Sequence, residues 1–164
     1  MNLQDCWTSY LKAEQLLEQG HWFAAQHVFE QVLQYMPEHI QLALQDEDTK
    51  PCQFACLLSG LRNASVAQSE ILNRMGEHNK AFDLLNQTYA LLQFISLEPS
   101  NLVRRNSRDL HKHSDAMLNH MTAFCTAHAS DQWTQELKQV QQSHLYFRDL
   151  KYKGGLMPVS PLLN

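Results

Sequence analysis

Five glycines and five prolines in 164 residues are few. Scarce breakers exclude a chain of many short strands and turns, and point to long uninterrupted elements. No stretch alternates apolar and polar residues for long enough to make a half-buried strand. No apolar run approaches the ~20 residues that span a bilayer, so no membrane partner is expected. The four cysteines, Cys6, Cys52, Cys56 and Cys125, form no CxxC pair. With no basic, apolar leader at residues 1–15, all four read as reduced thiols of a cytoplasmic protein. The glycine-rich phosphate loop, the nucleophile elbow and a paired-carboxylate motif are all missing, so the expectation is a protein that is not an enzyme and carries no cofactor.

Charge of one sign is short as well. Net charge is −4, which gives no general attraction to nucleic acid. It is unevenly spread. Residues 1–50 carry two basic and eight acidic side chains, and residues 51–164 carry eleven and nine. The acidic first third suits a neutral or basic partner.

Helical periodicity fills the space left by these absences. Helices are expected over about 3–19, 22–36, 51–75, 78–97, 101–129 and 131–149, with a short piece at 38–45. Gly20 ends the first helix and Pro37 stops the second. The acidic turn "DEDTK" follows, where Thr49 or Asp48 caps the next helix and Pro51 fits its first turn. Gly60 marks a close contact or a bend, Gly76 repeats the role of Gly20, and Ser100 is an N-cap. Apolar faces such as Phe54, Leu57, Leu58, Leu61 and Leu72 supply the core, as do the aromatics Trp7, Trp22, Phe29, Phe54, Phe94 and Phe124. Cys52 and Cys56 sit among them as small hydrophobes. The fold class is therefore all-α: antiparallel helical hairpins, in an array or compact bundle of about six helices. One domain covers 1–150, and an irregular tail covers 151–164. The hairpin turns fall near Gly20, Gly76 and Ser130, a spacing that hints at a degenerate repeat.

Ala13, Leu16, Gly20, Trp22, Ala25, Phe29 and Pro37 stand in an order that resembles one tetratricopeptide repeat. A weaker copy occupies 62–91, with Gly76, Ala81 and Leu85. The resemblance implies a right-handed array of hairpins that binds a peptide or helix of a partner along its first helices. It implies Gln4, Thr8, Leu11, Lys12 and Gln15 as the partner-binding residues. Bacterial secretion chaperones built on this repeat are of similar size, so an adaptor or chaperone-like role is expected. The last helix offers Trp133, Leu137, Val140, Leu145, Phe147 and Tyr152, which leaves a homodimer open.

"RRNSRDLHKHSDAMLNHMTAFCTAH", residues 104–128, gathers four histidines and a cysteine. The helically spaced pairs are Asp109 with His113, His111 with Asp115, and Cys125 with His128. None extends to a three-ligand set, so no metal is expected. Arg104, Arg105, Arg108 and Lys112 make a basic patch at the start of that helix, against the helix dipole. Compensation falls to a partner or to the acidic "DEDTK" loop. Arg105, Asn106 and His111 also resemble the signature of the HEPN family of all-helical domains. That resemblance implies the alternative, a ribonuclease or nucleotide-binding protein in which Arg105 and His111 act on the 2′-hydroxyl and the scissile phosphate.

Overall fold

A computed structural model describes residues 1–155, with side chains through 150. Seven α-helices make up the described chain: α1 (Leu3–Glu18), α2 (Trp22–Gln45), α3 (Pro51–Arg74), α4 (His78–Ser96), α5 (Asn101–Arg105), α6 (Ser107–His128) and α7 (Asp131–Gly155). No strand occurs among the described residues. None of these helices is long and apolar enough to cross a membrane. The chain divides into two compact units, residues 1–121 and the part from Thr122 onward.

The first unit is built from two hairpins that use the same turn. Gly20 and Gly76 have φ of 79° and 83°, a region costly to any residue with a Cβ. Each closes its helix with a paired hydrogen-bond set. The Gly20 N–H reaches Leu17 O and the His21 N–H reaches Leu16 O; Gly76 and Glu77 repeat this on Asn73 O and Leu72 O. These bonds satisfy carbonyls that a helix end leaves orphaned. With turns this short, α2 folds back along α1, and α4 along α3.

Small residues set how closely the rods approach. Ala13 of α1 and Ala25 of α2 are fully buried, as is Ala81 of α4. In the second hairpin the small residue of the first helix is Ser69, whose hydroxyl donates to Ala81 O at 3.0 Å. One helical turn away, the Ser65 and Thr88 hydroxyls lie 2.7 Å apart. A buried hydroxyl is costly unless paired, so these two bonds also hold the helices in register. The hydrophobic contribution is carried by Phe29, Met36, Ile40, Phe54, Leu58, Leu61, Phe82, Leu92 and Ile95, all within 1% of fully buried. Each contributes roughly 1.5–3 kcal/mol by leaving water. Helix α3 is central: it packs on α2 on one side and α4 on the other.

The second unit is smaller. At its turn Ala129 takes φ 46°, and α7 begins at Asp131. Trp133 packs edge-on against Phe124 at 5.0 Å and against His128 at 5.4 Å. The Cys125 thiol donates to Trp133 O, and Leu137 is buried.

Several expectations are corrected. Helix α2 does not stop before Pro37; it runs through it to Gln45, absorbing the short piece expected at 38–45. The reason is burial: Met36 and Ile40, flanking the proline, are both at 0% exposure. The helix expected over 101–129 is broken at Asn106. The Asn106 side-chain amide competes for Leu102 O, donating to it at 2.9 Å beside the backbone N–H, which is how asparagine interrupts a helix. The break puts Arg104 and Arg105 in the last turn of α5, where the dipole favours cations. Neither Thr49 nor Asp48 caps α3. Lys50 holds the cap position and its N–H is accepted by Gln53 Oε1 at 2.9 Å. Cys52, Cys56 and Phe94 are exposed, Phe94 at 71%. Trp7 and Trp22 are half-buried. Helix α7 continues to Gly155, so the irregular tail does not begin at 151; what was expected of 156–164 lies outside the described residues.

Pro37 gives a direct test. An interior proline costs ~3 kcal/mol through its missing N–H and its ring. Its stiffening of the unfolded chain offsets up to ~1 kcal/mol of that. Pro37→Ala is therefore expected to gain about 2 kcal/mol in urea unfolding. A loss of stability would mean that the helix does not run through this position.

Candidate functional site

The end of the first hairpin opposite Gly20 is open. There the start of α1, the last two turns of α2, the 46–50 loop and the start of α3 surround a groove of about 790 Å³. Leu3 and Trp7 come from α1, Leu42 and Ala43 from α2, and Leu57 from α3. Leu3 and Leu42 are exposed by 47% and 52%. The polar lining is Gln4, His39, Asp46, Thr49, Gln53 and Cys56.

Trp7 is set in place by a glycine. A Cβ at Gly60 of α3 would lie 2.9 Å from Trp7 Cζ3 and 3.5 Å from Met36 Cε. Real Cβ atoms essentially never make a contact of 2.9 Å, so the missing side chain is what lets the indole lie on α3. The indole also stacks on Tyr10 at 5.2 Å, and Tyr10 meets Phe29 edge-on at 6.5 Å. The Tyr10 hydroxyl donates to Glu14 and accepts from Asn63 Nδ2 at 3.4 Å. Burial, then the Glu14 carboxylate, pushes the Tyr10 phenol up to about 12. Trp7 thus forms the wall of the groove and at the same time ties α1 to α3.

The loop is ordered by its own acid. The Asp46 carboxylate accepts the Asp48 N–H at 3.0 Å, and Asp46 O accepts the Thr49 N–H at 3.1 Å. Asp46 and Thr49 also wall a second cleft, of about 370 Å³, with Leu44, Glu47, Ser100 and Arg105. The acidic loop is therefore a ridge with the apolar groove on one side and Arg105 on the other.

Of the five partner-binding residues expected on the first helix, all are exposed on α1. Gln4 lines the groove; Thr8, Leu11, Lys12 and Gln15 lie further along the helix and are not among its lining residues. Arg104, Arg105, Arg108 and Lys112 are all exposed, and only Arg105 reaches the cleft with the acidic loop. His111 is half-buried and is not among the residues of that cleft. Among the described residues no group of three or more His, Cys, Asp or Glu is placed to hold a metal ion. Sequence reasoning missed Trp7, Leu42, Ala43 and Leu57 as groove residues. Helical periodicity assigns the first and last to core faces and ends the second helix before the other two.

Comparison with family models, with curated proteins and with solved structures finds no match for this chain.

One histidine is not at the surface. His113 of α6 is 6% exposed, and its Nε2 lies 3.5 Å from the Ser59 hydroxyl of α3. Burial, reinforced by Arg62, holds its pKa below the usual 6.5; Asp109 opposes and Lys112 adds to the effect. The unfolded chain therefore takes up this proton first as pH falls. The contribution of neutral His113 is complete above about 6.5 and is lost on acidification through the folded value. Melting temperature is expected to fall between about pH 7 and 5, and His113→Gln to flatten that fall. An unchanged slope in the variant would rule out His113 as the source.

Proposed function

We propose that this chain is a non-enzymatic protein-binding module, an adaptor or chaperone-like protein that takes a peptide or helix of a partner protein into the groove between α1 and α3. The observation that carries the proposal is the groove itself. Exposed Leu3 and Leu42, the Trp7 indole and Leu57 form one concave apolar surface, interspersed with polar lining residues. Apolar side chains left in water at a concave site are what an amphipathic helix covers when it docks through anchors at i, i+3 or i+4, and i+7. The shared turns at Gly20 and Gly76, with Ala25 and Ala81 each five residues later, support a divergent tetratricopeptide-like repeat as the scaffold. The rest of this reading is a cytoplasmic protein with no cofactor and no nucleic-acid substrate.

Ala43→Trp would fill the groove from α2 without touching the Gly60 contact. Cross-linked capture from the native cell is expected to retain a protein on wild type that the variant loses at unchanged melting temperature. His111→Ala and Arg105→Ala are expected to leave background RNA cleavage unchanged. Identical capture by wild type and variant, or cleavage lost in either of the latter two, would overturn the reading.

A further inference from the structure

Resting on the groove reading above, we infer that the occupant is a basic amphipathic protein segment: its apolar face seats against Trp7, Leu42 and Leu57, and a Lys or Arg at its edge meets the 46–48 loop. Three observations fix the sign. Asp46 is the formally charged residue among those lining the groove, and neither Lys nor Arg lines it. Glu47 and Asp48 are exposed beside it on the same ridge. The first 50 residues carry eight acidic against two basic side chains, and Lys50, the basic residue nearest the loop, does not line the groove.

Placement matters as much as sign. The Asx-type bond from the Asp48 N–H uses one lone pair of the Asp46 carboxylate and fixes its direction. The carboxylate keeps further acceptor capacity, enough for a cation. On the far side of the ridge Arg105 shares its cleft with Glu47 as well as Asp46. The ridge thus offers the Asp46 carboxylate to a cation on the groove side, while on the far side Arg105 already faces the two carboxylates of its cleft. Rim charges of this kind act mainly on encounter rate and on choice of partner.

The groove carries its own reporter. Cys56 lines it, while Cys52, one turn earlier on α3, is also exposed and does not. Alkylation of the two thiols, read by mass spectrometry, separates docking in the groove from loose attraction to an acidic surface. The probes are two synthetic amphipathic peptides with the same leucine face, one with lysine and one with glutamate on the polar face. The lysine peptide is expected to shield Cys56 and leave Cys52 reactive. Its binding should weaken about tenfold in an Asp46→Lys, Glu47→Lys variant and also with added salt. An Asp83→Lys control, away from the groove, should leave it unchanged. Equal shielding by the glutamate peptide would overturn the charge inference and leave the groove reading intact. Failure of both peptides to shield Cys56 would overturn both. Shielding that needs no peptide and grows with protein concentration would assign the groove to a second copy, and that too overturns the inference.

Discussion

Gly60 is the point on which the first unit turns. Three helices meet there: Trp7 from α1 and Met36 from α2 both lie against the bare backbone of α3. Interior packing is dense enough that one extra methyl is felt. The contact also has reach. From Gly60 the rings of Trp7, Tyr10 and Phe29 run in sequence through α1 into α2. Cys6, Val32 and Met36 close the core around them, all at 0% exposure. A change at Gly60 would therefore move the wall of the groove and the core beneath it together.

Architecture was legible wherever a residue type has a single physical reason to be present. Gly20 and Gly76 announce left-handed turns, Ser100 announces a cap, and Ala13, Ala25 and Ala81 announce close approach. The turns and the cap hold in the structure, and the three alanines are fully buried. Pro37 and Asn106 misled in opposite directions. The proline signals a stop, yet Met36 and Ile40 gain more from burial than the missing hydrogen bond costs. The asparagine signals nothing in particular, yet its amide takes the Leu102 carbonyl and ends α5. Both outcomes are decided by tertiary contacts that periodicity does not encode.

The site was harder to read than the fold. Periodicity identifies Trp7 and Leu57 as apolar-face residues but does not say that this face runs out of partners at one end of the hairpin. That gap exists because α2 extends to Gln45 and the loop carries the chain across to α3. Leu42 and Ala43 come to the groove only by that extension. The acidic loop was visible as "DEDTK", but its place between an apolar groove and Arg105 follows from three-dimensional packing. The expected residues Thr8, Leu11, Lys12 and Gln15 share α1 with Gln4 and Trp7, yet only the first turns of that helix reach the open end.

The account rests on Gly60 being a notch for Trp7, and unfolding free energies of Gly60→Ala in two backgrounds test it most directly. Alanine in an ordinary helix position gains about 1 kcal/mol over glycine, whereas overfilling a tight contact costs about 1–3 kcal/mol. With Trp7 present the substitution should lower stability and shift the indole fluorescence; with Trp7→Leu it should become neutral or stabilising. A gain of about 1 kcal/mol in both backgrounds would contradict the account, because it would mean that Trp7 does not lie on Gly60 at all.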